Sequence, residues 1–315
     1  MSLKVNQLTK SFGPNKAVDE VSFEIENPSV VGFLGPNGAG KTTTMRIITG
    51  YLSPSSGTVE IDNTRMTSEN AELRANIGYL PESNPLYTEL EVHEYLKFAA
   101  QLSGMNGAQA VQRLGYVVDR CGLKDVLYEP IFHLSKGFKQ RVGLAQAIIH
   151  DPKMLILDEP TSGLDPNQVV GIRSLISELA QEKLVVLSTH ILSEVQSLCS
   201  RVLIINAGKL VLDAKSDDLE HTGTDNVKIV VKSAAPIEAV KETFESEFHP
   251  LKLISDTEDG AFSLQLSIRD SAGLRERIFD VCVSRGYKIL ALTKSGSDLE
   301  KVFRELTVGS DEKGQ

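Results

Sequence analysis

Short uninterrupted apolar runs recur along the first two thirds of the chain: SVVGFLG at 29–35, KMLILDEP at 153–160, KLVVLSTH at 183–190 and RVLIINAG at 201–208. A strand exposed on one face alternates apolar and polar residues. Continuous runs instead suit strands covered on both faces, as in a parallel sheet between helices. They predict an α/β core over residues 1–215. The start, MSLKVNQLTKSFG, does alternate; it reads as a strand and lacks the apolar central run of a signal peptide. From about 84 to 145 the buried-strand pattern gives way to helical ones, VHEYLKFAAQL and AVQRLGYVVDRCGL, which predicts a mostly helical subdomain inserted in the core.

Past the polar stretch DAKSDDLEHTGTD, with a linker placed at 216–224, the period changes again. VKIVVK, PIEAVKETFESE, LKLIS, AFSLQLSI, SAGLRERIFDVCVSRG and YKILALT follow one another as β-α-β-β-α-β, the split βαβ order of a small ferredoxin-like α+β domain over 225–315. A final helix, SDLEKVFRELT, sets Leu299, Val302, Phe303 and Leu306 on one face, with Ser297 and Glu300 spaced as a capping box. This domain reads as an accessory or regulatory module or as a plain cap on the first, since a fold pattern does not establish function.

A length of 315 residues suits these two domains, and 41% apolar with 24% charged residues is the balance of a globular protein. The formal net charge of -9 argues against broad nucleic-acid binding, which relies on cations at phosphates. Cys121, Cys199 and Cys282 are odd in number and lack CxxC spacing, so they read as core residues in a reducing compartment. No stretch approaches the roughly 18 apolar residues of a membrane span. Action at a membrane would therefore need a partner.

The chemistry gathers where the apolar runs end. The segment GPNGAGKT (Gly35, Pro36, Asn37, Gly38, Ala39, Gly40, Lys41 and Thr42) fits G-x-x-x-x-G-K-[ST] between a strand and the helix that begins with Thr43. Its glycines let backbone N–H groups turn inward around phosphate oxygens, and the helix start adds partial positive charge. Lys41 is placed to reach the β- and γ-phosphates, and the Thr42 hydroxyl to bind Mg²⁺. At the end of MLILDEP, Asp158 suits the same metal and Glu159 an attacking water, although an Asp-Glu pair after a strand reads as readily as a cap. His190, ending KLVVLSTH, suits a γ-phosphate edge or a structural role. Phe12 suits an adenine platform or a core.

Five motifs, GPNGAGKT, LSKGFKQRV, MLILDEP, SGLD and the STH histidine, together resemble the ATP-binding subunits of ABC transporters over about residues 3–215. The resemblance implies a P-loop NTPase core that binds ATP and Mg²⁺, hydrolyses ATP and drives a separate membrane permease from the cytoplasmic face. It also explains LSKGFKQRV, by itself a basic helix start. Two cassettes close head to tail, so Ser135, Lys136 and Gly137 of one would meet the ATP held by the other, most simply in a homodimer. The family signature is usually Leu-Ser-Gly-Gly-Gln; Lys136 and Phe138 depart from it. Glu82 stands where the family generally has a Gln that bridges Mg²⁺, the attacking water and the permease. More narrowly, the chain resembles export ATPases, and IGYLPESNPLY is similar to the gliding-motility-associated subunit of Bacteroidetes. The alternative is a soluble ABC-type ATPase working on ribosomes or DNA.

Overall fold

The alternating start forms β1 (Ser2–Phe12), which pairs antiparallel with β2 (Asn15–Glu26). Buried β3 (Ser29–Leu34) then leads through the phosphate loop into α1 (Lys41–Ile48). β4 (Ser56–Ile61), β5 (Thr64–Arg65), α2 (Ala71–Arg74) and β6 (Ile77–Leu80) come next. The helical region holds α3 (Val92–Leu102), α4 (Gly107–Cys121) and α5 (Lys136–Ile148). β7 (Met154–Asp158), α6 (Pro166–Leu179), β8 (Leu184–Thr189), α7 (Leu192–Leu198), β9 (Arg201–Asn206) and β10 (Lys209–Lys215) complete the nucleotide-binding part. The computed structural model describes residues 1–26, 28–216, 225–250, 252–258, 261–268, 273–294, 303 and 306. They fall into two units, Met1–Ser216 with Leu306–Gln315, and Asp217–Glu305.

The four apolar runs become β3, β7, β8 and β9 of a six-stranded sheet in the order β10-β9-β3-β8-β7-β6. All its pairings are parallel except β10 with β9. β7 and β8 are buried at every position, as continuous apolar patterning requires. The edge strand β6 was harder to see in the sequence, because IGYL is short and interrupted by Gly78. That glycine lets α5 approach: a Cβ there would collide with the Ala147 carbonyl. A second, antiparallel sheet runs β2-β1-β4-β5. Met45, Ile47 and Ile48 of α1 share one core with Leu3, Val5, Phe23 and Ile25 of that sheet and with Phe33, Ile156 and Val186 of the first.

Helices occupy most of the region expected to be helical. Asn106 caps α4 through the Gln109 N–H, and Arg113 of α4 donates to the Ile148 and Ile149 carbonyls at the end of α5. Asn84, just past Glu82, has left-handed φ of 41°. Its amide donates to the Lys139 carbonyl at 2.8 Å and lies against Gly143, where a Cβ would collide with it. The loop carrying Glu82 is thereby fastened to α5.

In the second unit, β11 (Asp225–Lys232), α8 (Ile237–Phe248), β12 (Lys252–Glu258), β13 (Ala261–Ile268), α9 (Leu274–Arg285) and β14 (Lys288–Lys294) follow the β-α-β-β-α-β order. The antiparallel sheet β12-β13-β11-β14 packs Ile229, Val231 and Leu264 on Val240 and Phe244 of α8 and Ile278 of α9. The linker positions 217–224 and Ser297, Leu299, Glu300 and Val302 of the final stripe lie outside the described residues; Phe303 and Leu306 are helical. Leu306, expected in the C-terminal domain, belongs to the first unit. Its carbonyl accepts from Asn206 Nδ2 at 2.8 Å.

Candidate functional site

The phosphate loop turns sharply because its glycines allow conformations closed to other residues. Gly40, the residue before α1, has φ of 106°, and a Cβ there would collide with the Ala17 carbonyl. The loop is braced from behind by the turn between β9 and β10, where the Gly208 N–H donates to the Ala39 carbonyl at 3.0 Å. Asn37, Gly38, Gly40, Lys41, Thr42 and Thr43 line a cavity of about 330 Å³ together with Ala17, Glu82 and Glu159. Gly35 and Pro36 contribute carbonyls, which accept from Lys41 Nζ at 2.8 and 3.2 Å.

The carboxylates come from strand ends that are distant in sequence and adjacent in the sheet; of these residues Glu159 lines the cavity, and Asp158 and His190 stand behind it. Asp158 of β7 faces Ser188 of β8, whose hydroxyl donates to Asp158 Oδ1. Asp158 is fully buried, and its Oδ2 has no hydrogen-bond partner. Glu159 follows in a left-handed conformation, φ 50°, anchored by its N–H to the Ser188 carbonyl at 3.0 Å. Such a backbone costs of order 1–3 kcal/mol for a residue with a side chain. The turn carries the Glu159 carboxylate to Lys41 on one side, with Oε1 3.4 Å from Nζ, and to His190 on the other, with Oε2 2.8 Å from Nδ1. Lys41 and Glu159 are each 6% exposed, while His190 remains open to solvent.

Glu82 is exposed and lines the mouth of the cavity. Phe12 does not line it; the ring stands at the end of β1, 53% exposed, with Lys10 Nζ 5.4 Å from its centroid. Ser135, Lys136 and Gly137 are also outside it. Ser135 caps α5, its hydroxyl accepting from the Phe138 N–H at a long 3.4 Å and keeping its own hydrogen for another acceptor. Lys136 reaches over Gly163 of SGLD, and Gly137 lies against the Gln168 side chain of α6. These contacts set the signature segment against the SGLD loop and the first turn of α6, which Asp165 caps through the Gln168 N–H at 3.0 Å.

Ala17 and Ser188 were not among the residues singled out in the sequence. Ser188 was findable in principle, since it sits two places before His190 on a buried strand where a hydroxyl needs a partner. Ala17 offers only backbone, and no side-chain signal marks it. Next to the Asp158 side of the sheet, Tyr79 of β6 is pushed up to about 12, chiefly by burial and further by the Asp158 charge. It stays neutral near pH 7.

Residues 18–162 match the ABC transporter family. An uncharacterized ABC transporter ATP-binding protein of Methanocaldococcus jannaschii is 39% identical over 244 residues, covering 76% of this chain and 88% of its own. The bacitracin transport ATP-binding protein BcrA of Bacillus licheniformis is 32% identical over 313 residues, 98% of this chain and 97% of its own. A solved dimeric bacterial ABC transporter cassette superposes with a TM-score of 0.64 at 25% identity, over 68% of this chain and 98% of that one. A phosphate loop, a buried aspartate and a glutamate–histidine pair at adjacent strand ends, within a chain matched over most of its length, place this protein among the ATP-binding subunits of ABC transporters, a family of ATPases.

Proposed function

We propose that two copies of this chain close head to tail around two ATP molecules and power a separate membrane permease, in export, from the cytoplasmic face. The observation that carries the catalytic part is the convergence of Lys41 and His190 on the Glu159 carboxylate, which lines the cavity together with Lys41. Lys41 exchanges its Glu159 contact for the β- and γ-phosphates. Glu159 takes a proton from the water that attacks the γ-phosphorus, the bond to the bridging oxygen breaks, and ADP and phosphate result. His190, held by Glu159 through Nδ1, turns Nε2 to the γ-phosphate. Phe12 stacks on the adenine. Mg²⁺ fits the oxygen donors here, because the buried Asp158 Oδ2 has no other partner, Thr42 lines the cavity and Glu82 stands at its mouth. When bound, it neutralises charge on the phosphates.

Ser135, Lys136 and Gly137 serve the neighbour's nucleotide in this reading, in keeping with their place outside the cavity and with the dimeric cassette that the chain resembles. For the permease, support comes from a pocket of about 330 Å³ just beyond Glu82, where Tyr87, Phe98 and Leu102 stand beside the polar Ser103, Gln146 and His150. Tyr87 and Leu102 are 62% and 73% exposed, and this mixture of exposed apolar and polar groups suits an amphipathic segment. No helix among the described residues is long and apolar enough to cross a membrane. Export is supported by full-length similarity to a bacitracin transport protein. The gliding-motility form of this reading rests on IGYLPESNPLY alone. Purification in mild detergent tests the whole: an integral membrane protein that copurifies and stimulates ATP turnover is expected. Association with ribosomes or DNA instead would overturn it in favour of the soluble alternative.

A further inference from the structure

Glu194 is a buried carboxylate that the hydrolytic arrangement above does not use. It lies on α7, and only 1% of it is exposed. Its Oε1 accepts from the Thr161 hydroxyl and its Oε2 from the Thr189 hydroxyl at 2.7 Å. Thr189 Oγ1 in turn accepts from the Ile191 N–H at 3.0 Å. The Arg173 guanidinium of α6 stands 3.8 Å away and supplies the opposite charge that makes a buried carboxylate tolerable.

The two threonines identify what is being joined. Thr161 lies two residues past Glu159, on the way into SGLD, and Thr189 immediately precedes His190. The backbone joins the two segments only as far as the Glu159 N–H on the Ser188 carbonyl, and it does not reach Thr161 or His190. β7 and β8 are neighbours in the sheet, but both loops start where strand pairing stops. The His190 side chain itself is 44% exposed, and its hydrogen bond to Glu159 orients the ring. We propose that Glu194 is a positioning residue for ATP hydrolysis, a buried clip that keeps His190 and Glu159 at hydrogen-bonding distance by tying together the loops that bear them. The proposal rests on the catalytic reading of those two residues.

A double-mutant cycle on the full chain tests it. Misplacing a reacting group by about 1 Å costs on the order of 100-fold, so Glu194→Ala is expected to lower kcat about 10- to 100-fold with ATP affinity within about threefold. Glu194→Gln keeps the shape and can accept from one threonine while donating to the other, and should recover most of that loss. In a His190→Ala background the same Glu194→Ala change should lower kcat less than about threefold, because residues that act through one another do not add. Equal factors in both backgrounds would mean that Glu194 supports the fold only and would overturn the proposal. Wild-type kcat in His190→Ala alone would instead sink the catalytic reading and the proposal with it. If Glu194→Ala fails to fold, Thr189→Val removes one arm of the clip and enters the same cycle with the same expected and refuting outcomes.

Discussion

Glu159→Gln separates the two tasks that the structure gives to one carboxylate. As a base, the carboxylate is worth about 10²- to 10⁴-fold in rate, and the amide loses it. As a counter-ion, it sits 3.4 Å from Lys41 Nζ with both side chains almost fully buried. The amide leaves Lys41 with only the Gly35 and Pro36 carbonyls. Under-satisfying a buried charged donor costs about 1–3 kcal/mol in the nucleotide-free protein. ATP phosphates restore that interaction on binding, and they no longer meet the negative charge of Glu159. At about 1.4 kcal/mol per tenfold, ATP affinity should rise about 5- to 140-fold while turnover falls at least 100-fold. Three measurements apply: single-turnover hydrolysis, equilibrium titration with ATP, and melting temperature with and without nucleotide. The variant should melt below wild type without ATP and show the larger ATP-induced rise, with an ATP-dependent dimer on gel filtration. Turnover near wild type would refute the assignment of the base, and unchanged or weaker ATP affinity would refute the counter-ion argument.

Ser135→Arg should abolish hydrolysis but leave nucleotide binding by the isolated subunit intact, and mixing it with Lys41→Ala should restore part of the activity; equal loss of binding in both variants would contradict a shared site. Gly143→Ala drives a methyl into the Asn84 amide and should destabilise by about 1–3 kcal/mol in urea unfolding. Adding Asn84→Gly, which suits the left-handed φ of 41°, should return most of that; simple additivity would count against the contact. His150 has its pKa held below the ordinary 6.5, chiefly by burial, with Nε2 bonded to the Ile77 carbonyl at 3.1 Å. The unfolded chain therefore binds the proton more readily, so the stability this residue provides is present above pH 6.5 and lost as pH falls through the folded pKa. His150→Gln should flatten the melting-temperature profile below pH 6.5, and an unchanged slope would exclude it as a contributor.

Features whose cause is local were legible in the chain itself. The phosphate loop is one continuous stretch whose glycines and lysine act within eight residues, and the buried strands declare themselves by unbroken apolar runs. The β-α-β-β-α-β order of the second unit is written in its periods in the same way. Tertiary structure decided what meets across the sheet. β8 inserts between β3 and β7 although it follows both in sequence, and that order sets Ser188 on Asp158 and brings His190 beside Glu159. The left-handed turn at Glu159, the backbone of Ala17 beside Gly40, and Asn84 over Gly143 likewise join segments with no shared period. Leu306 at Asn206 and the Glu194 clip belong with them. Residue types and spacing report the forces between near neighbours, whereas a hydrogen bond between residues far apart in the chain exists only once the strand order has brought them within 3 Å.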